Sequence, residues 1–275
     1  MSRKKYDWSQ NKFDRYIKEK RGMGEGKNYI PWIKVQDFSS KGRSHRIAGW
    51  KTNRVHHLFS DQEKRMFFLL EWSDIVIDIR EQYPLSNLDL TLDIATIMNV
   101  RHPINSKSKM PYIMTTDFMI TCVINNELCH KARTIKSTKE LENRRTLEKL
   151  EIERRYYQHL DIDWAVVTEK GLPKILTENI ESIHESYFID CINDKNLHEL
   201  KEICEMIKYN LLEQKYHTVA ELTNKLDTQM SLEVGTSLFL FKHLIAQKEI
   251  ILDIFNNKIS GSLLTKLIKV KNSQL

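Results

Sequence analysis

Two runs of β-branched and apolar residues lie within positions 114–136, Met-Thr-Thr-Asp-Phe-Met-Ile-Thr-Cys-Val-Ile, then Asn125-Asn126, then Glu-Leu-Cys-His-Lys-Ala-Arg-Thr-Ile-Lys. Asn tolerates positive φ, so the pair suits a two-residue type I′ hairpin loop. That loop sets a register in which Cys122 faces Cys129 and Asp117 faces Thr134. Side chains alternate along a strand, so Lys136 shares the face of Thr134. A carboxylate and an ammonium then meet at the open end of one hairpin. By themselves the two residues also fit a cross-strand surface ion pair, worth about 0–1 kcal/mol.

Before the hairpin, Phe13–Ile17 suggests a short helix, Gly22–Lys27 a connector, and Tyr29–Val35 an edge strand or extended segment. Ser60-Asp61-Gln62-Glu63 has capping-box spacing and opens a helical run through Trp72. Glu63, Met66, Phe67 and Leu70 stand at i, i+3, i+4 and i+7, which puts Glu63 on the apolar stripe. A carboxylate there costs free energy unless it is paired or bound to metal. Ile75–Ile79 reads as a strand ended by Arg80–Leu85, where Pro84 cannot donate to a ladder. A modest helix over 88–99 and a polar loop over 101–112 precede the hairpin. After it, Ser137-Thr138-Lys139-Glu140 reads as the cap of a charged helix over 138–159, with Leu141, Leu147, Leu150, Ile152 and Tyr157 as its buried positions. Its arginines 144, 145, 154 and 155 suit a solvated face. Trp164–Thr168 is a further strand, and the order predicts a three-layer α/β core.

Lys170-Gly171-Leu172-Pro173 breaks the pattern, giving domains 1–170 and 171–275. Helices are predicted over 174–186, 195–214, 219–227 and 232–247, followed by a strand at 249–253, an Asn256-Asn257 turn and a short return. This order resembles a winged helix-turn-helix. Its last helix carries only Glu233, Lys242 and His243 as titratable groups, which favours partner docking or phosphate contact over base reading.

Composition adds bounds. The 275 residues are 41% hydrophobic and 29% charged, ordinary for a globular chain, and nothing approaches the ~18 apolar residues of a membrane span or a secretory signal. Four cysteines without CxxC spacing suit reduced thiols in a cytosolic protein. Net charge is +6, but residues 1–60 hold 15 Lys/Arg against 5 Asp/Glu. That asymmetry fits a polyanion contacted early in the chain or, equally, a solvated basic tail; Arg43 and Arg46 of the basic loop Ser39–Arg46, with Arg54, are the expected DNA contacts. His56-His57 point apart in regular structure and suggest no metal site.

Glu63 on a helix, Asp117 on one strand and Thr134-Ile135-Lys136 on the next resemble the PD-(D/E)XK core of restriction endonucleases. More specifically, Gly26–Trp32, Gly42–Ile47, Val55–Leu58, Asp78–Gln82, Thr116–Phe118 and Arg145–Glu151, in that order, resemble the TnsA family of endonuclease subunits of heteromeric cut-and-paste transposases. The resemblance implies an α/β restriction-endonuclease-like domain with a mixed sheet, followed by a mainly helical winged-helix-like domain. It implies a Mg²⁺-dependent endonuclease (Mn²⁺ serving in its place, as one or two ions) that cuts the 5′ strands at transposon ends. Glu63, Asp117 and Lys136 are then the expected catalytic residues, and Glu63, Asp117, Thr134 and the Ile135 carbonyl the expected metal ligands. The expected partners are transposon-end DNA, a DDE transposase (TnsB) that cuts and joins the 3′ strands, and an AAA+ ATPase (TnsC) bound by the C-terminal domain. No membrane is expected, and the setting would be the bacterial cytoplasm, at the nucleoid. Thr116 stands where the motif has Pro, and Thr134 stands where related nucleases have Glu or Gln. Rival readings are a non-catalytic assembly factor, a DNA-binding regulator and a free-standing nuclease.

Overall fold

The computed structural model describes residues 8–37, 43–189 and 196–271. The chain forms two compact units, Met1–Leu172 and Pro173–Leu275. The boundary expected from sequence lay two residues earlier.

In the first unit the hairpin is the centre of a four-stranded mixed sheet ordered β3-β4-β5-β6. Strands β4 (Thr115–Ile124) and β5 (Glu127–Ile135) pair antiparallel with Cys122 opposite Cys129. Asn125 and Asn126 have φ of 52° and 64°. Both asparagines therefore occupy the left-handed region, as a type I′ loop requires. The antiparallel β3 (Val76–Pro84) lies on the other side of β4, and the parallel β6 (Asp163–Val167) beside β5. Helices α3 (Leu88–Ile97) and α4 (Arg144–His159) cover the sheet through Ile94, Ala95, Ile152, Tyr156 and Tyr157, packed with Met119 and Ala132.

Helix α1 (Gln10–Lys18) seats Tyr16 and Phe13 against Trp8 and Trp32 in a second aromatic core. The segment after it runs close to the end of β3. A Cβ at Gly22, whose φ is 76°, would lie 2.3 Å from Cγ of Pro84, so only glycine fits there. A two-stranded sheet of β1 (His45–Ala48) and β2 (Val55–Leu58) precedes α2 (Asp61–Trp72), which buries Phe67, Phe68 and Leu70.

Several expectations need correction. Tyr29–Val35 forms no strand: it starts extended at Tyr29, bends at Trp32-Ile33 and enters a 3₁₀ turn at Val35. His45 and Arg46 belong to β1, Arg43 and Ser44 lead into it, and the remainder of the expected basic loop, from Ser39 to Gly42, lies outside the described residues. Strand β3 continues through Pro84 because Pro84 is its last residue, where no donor is needed. The Ser137–Glu140 box exists, with the Glu140 carboxylate accepting from the Ser137 N–H and hydroxyl, but it closes a 3₁₀ turn. Helix α4 instead starts under Asn143, whose side chain accepts from the N–H groups of Arg145 and Thr146. Leu141 therefore precedes the helix, and Leu147 is exposed.

The second unit contains α5 (Lys174–His184), α6 (Leu197–Leu212), α7 (Val219–Gln229) and α8 (Thr236–Ala246). Thr218 and Glu221 form the capping box of α7. Helix α8 starts later than its pattern suggests, because Asp227 accepts from the N–H groups of Gly235 and Ser237 and fixes its first turn. Strand β7 (Ile250–Ile251) pairs with β8 (Lys269–Val270), so the return is longer than predicted from Asn256-Asn257. Among the described residues no helix is long and apolar enough to cross a membrane.

Candidate active site

The hairpin ladder ends at Phe118–Arg133, one step short of Asp117 and Thr134. Past that point side chains make the bonds. The Asp117 Oδ2 accepts from the Ile135 backbone N–H at 2.7 Å and from Lys136 Nζ at 3.2 Å. The same Nζ donates to the Ile135 carbonyl at 2.7 Å. One ammonium thus sits against two of the oxygens expected to be ligands. Burial pulls its pKa down, but Asp117 and Glu153 outweigh that and hold it above the ordinary lysine value.

Glu63 reaches the same region from α2. Its backbone N–H bonds Ser60 Oγ, and its carboxylate accepts from the Phe59 N–H at 2.9 Å and the Ser60 hydroxyl at 3.1 Å. The cap fixes the helix start, and the stripe position buries the carboxylate, leaving it 7% exposed. Burial first and the negative charge of Asp117 second push its pKa up to about 8. Glu63 therefore feels both the Asp117 carboxylate and the Lys136 ammonium.

Thr134 is placed differently from expectation. Its hydroxyl donates to the Glu153 carboxylate and lies 3.0 Å from the Thr116 hydroxyl, and the residue is buried. A side chain committed to this network is not turned outward as a ligand. Glu153, on α4, also accepts from the Trp164 indole N–H at 3.0 Å. Burial raises its pKa despite the bonds from Thr116, Thr134 and Trp164. Sequence reasoning missed Glu153, although it stands at i+3 from Leu150 and i−4 from Tyr157, the same stripe signal that singled out Glu63.

Among the described residues no group of three or more His, Cys, Asp or Glu side chains is placed to hold a metal ion. The Asp117 carboxylate and the Ile135 carbonyl meet at Lys136 Nζ, while the Glu63 carboxylate bonds Phe59, Ser60 and Gln82. A cavity of about 490 Å³ is lined by Lys136, Thr134, Glu153, Tyr112, Met114 and Lys149 among others, and of the expected catalytic residues Lys136 is the one that reaches it.

Of the three basic residues expected to meet phosphate, Arg43 and Arg46 are exposed. Arg54 is turned inward, which corrects the expectation. Its guanidinium donates to both oxygens of Glu81 at 2.8 and 2.6 Å and to the Ile79 carbonyl at 2.7 Å. His56 and His57 join the same knot, His56 through Nδ1 to Glu81 at 2.7 Å and His57 through its backbone N–H.

A buried glutamate, a half-buried aspartate, a carbonyl and a lysine on an α/β scaffold are groups of the types that metal-dependent nucleases use. Comparison with known proteins narrows this. Residues 73–169 match the TnsA-like endonuclease N-terminal family, and residues 172–254 match the TnsA endonuclease C-terminal family. The transposition protein TnsA of transposon Tn7 from Escherichia coli is 36% identical over 257 residues, covering 94% of this chain and 91% of that protein. The chain belongs to the TnsA endonuclease family.

Proposed function

We propose that the chain cuts the 5′ strands at transposon ends, using Asp117, Glu63 and the Ile135 carbonyl to hold a divalent cation and Lys136 as the catalytic ammonium. The observation that carries this reading is the Lys136 Nζ seated against both Asp117 Oδ2 and the Ile135 carbonyl, beside the buried Glu63. A spot where converging oxygens stabilise one positive charge suits another. All the donors are hard oxygens, which fits Mg²⁺ or Mn²⁺. Such an ion lowers the pKa of bound water and neutralises charge on a scissile phosphate. Whether one ion or two are held does not alter the roles of the side chains.

Asp117 is oriented by the Ile135 N–H, so one of its lone pairs is fixed while others remain available. Lys136, charged under all working conditions, faces the attacked phosphate or its incoming water and stabilises the negative charge that develops in the transition state. Glu153 adds negative charge near Lys136 and keeps the ammonium protonated. Thr134 serves this reading by anchoring Glu153, with no direct ligation.

The DNA flanking the cut runs over the exposed Arg43 and Arg46, whose contribution should weaken steeply with salt. The C-terminal unit, with the element order of a winged helix-turn-helix, docks the AAA+ regulator TnsC, while TnsB makes the 3′ breaks. Thr134's commitment to Glu153 is the observation that favours the rival reading of a non-catalytic assembly factor. Reconstituted excision with both partners, reading each strand separately, decides between them. Glu63→Ala, Asp117→Ala and Lys136→Ala should each abolish 5′ cleavage while 3′ joining continues; normal 5′ nicking by Asp117→Ala refutes the assignment.

A further inference from the structure

Strand β3 carries an irregularity at the level of the site. Its ladder with β4 pairs Glu81 with Phe118 and Tyr83 with Thr116, and omits the step between them, Gln82 opposite Asp117. Gln82 has φ of 48°, in the left-handed region and within a strand. A residue with a Cβ populates that region sparsely, and such outliers persist only where the surroundings enforce them. Its carbonyl turns away from β4 and accepts from the Trp32 N–H at 3.3 Å.

The side chain is buried, 6% exposed. Its Oε1 accepts from the Thr115 hydroxyl at 3.3 Å, which leaves the Nε2 end facing Glu63 Oε2 at 3.4 Å. The bonds to Glu63 from Phe59 and Ser60 come from the start of its own helix. Among the described residues the bond from Gln82 is the one that reaches Glu63 from the sheet. It leaves β3 from the position directly opposite Asp117. The amide is neutral, so it bridges towards one carboxylate beside another without adding charge.

We propose that Gln82 is a positioning residue that ties the Glu63 carboxylate to the strand opposite Asp117 and so sets the spacing of the two carboxylates for a divalent cation. The left-handed backbone is what points the amide at Glu63. This inference rests on the reading of Glu63 and Asp117 as ligands. Outer partners of metal ligands typically change affinity by about 10–100-fold when removed.

The test is Mn²⁺ binding to the full purified chain by calorimetric titration, with metal-free thermal unfolding alongside. Gln82→Gly removes the amide and accommodates the left-handed φ without strain. The lost side chain should lower its melting temperature by a few degrees, from the cavity and the unpaired Thr115 hydroxyl, and the folded variant should bind Mn²⁺ about tenfold more weakly. Thr115→Val leaves the backbone at 82 intact and frees the amide to turn; it should weaken Mn²⁺ binding severalfold, and it carries the test alone if Gln82→Gly does not fold. Asp117→Ala is the reference. If Asp117→Ala loses Mn²⁺ while folded Gln82→Gly and Thr115→Val bind as wild type does, the role of Gln82 is refuted and the ligand reading stands. If Asp117→Ala binds Mn²⁺ like wild type, the ligand reading falls and takes this inference with it.

Discussion

Arg54→Ala separates a structural arginine from a DNA-binding one. Arg54 makes two bonds to Glu81, one to the Ile79 carbonyl and one to the Gly26 carbonyl at 3.2 Å, and its guanidinium lies 5.0 Å from the Tyr29 ring centroid. The Glu81 side chain is fully buried, and its pKa lies well below the usual carboxylate value because partners including His56 and Arg54 outweigh burial. Without Arg54 that charge faces only His56 and the His57 N–H. Removing one partner of a buried pair costs about 3–5 kcal/mol. At roughly 2–4 °C per kcal/mol for a unit of this size, the melting temperature should fall by about 6–20 °C. Thermal unfolding by circular dichroism measures this, and DNA binding against salt is measured below the lowered transition. The slope of log K against log salt should be unchanged for Arg54→Ala. For Arg43→Ala and Arg46→Ala the melting temperature should hold, and the slope should shrink by about 0.9 for each phosphate left without its arginine. A melting shift under about 2 °C for Arg54→Ala, together with a reduced slope, would refute the reasoning.

Three further outcomes are expected. Burial pushes the Glu71 pKa up to about 7, against the bonds from the Trp50 and Lys51 N–H groups. The folded state therefore binds this proton more tightly than the unfolded chain, and the associated stability is full below about pH 4.5 and lost as pH rises through about 7. Glu71→Gln should accordingly gain on wild type between pH 5 and pH 8, by on the order of 2–3 kcal/mol in denaturant titrations; a pH-independent difference would contradict this. Glu153→Ala leaves the Trp164 N–H without this acceptor and the Thr134 hydroxyl with Thr116 as its remaining partner, and should lower stability by about 1–3 kcal/mol with an unchanged denaturant slope. Asn126→Gly should hold or raise the melting temperature while Asn126→Ala lowers it, because φ of 64° is free only to glycine.

Much of this was legible because local chemistry and global fold agree at the hairpin. Asn125-Asn126 specifies its turn, the turn specifies the register, and the register brings Asp117 close to Lys136. Glu63 was legible as a carboxylate on an apolar stripe. The interior of the basic N-terminal region was not. Arg54 reads as one more surface cation until the fold brings Glu81 beside it, and no local pattern encodes a contact between β3 and the turn before β2. The start of α4 was misplaced because two capping signals follow one another, Ser137 and Asn143, and the nearer one closes only a 3₁₀ turn. Thr134 is an expected ligand only through the family resemblance; its partner Glu153 arrives from a helix that spacing cannot dock.

The position of a bound cation is the sharpest test of the proposed site. Crystals of the full chain soaked in Mn²⁺, with anomalous scattering measured, should give a peak at roughly 2.0–2.3 Å from Asp117 and the Ile135 carbonyl, within reach of Glu63. Lys136 Nζ should be moved off that carbonyl, and the peak should be missing in Asp117→Ala. A protein that cuts 5′ strands while its Mn²⁺ lies elsewhere, or keeps the peak without Asp117, would overturn this assignment of the ligands.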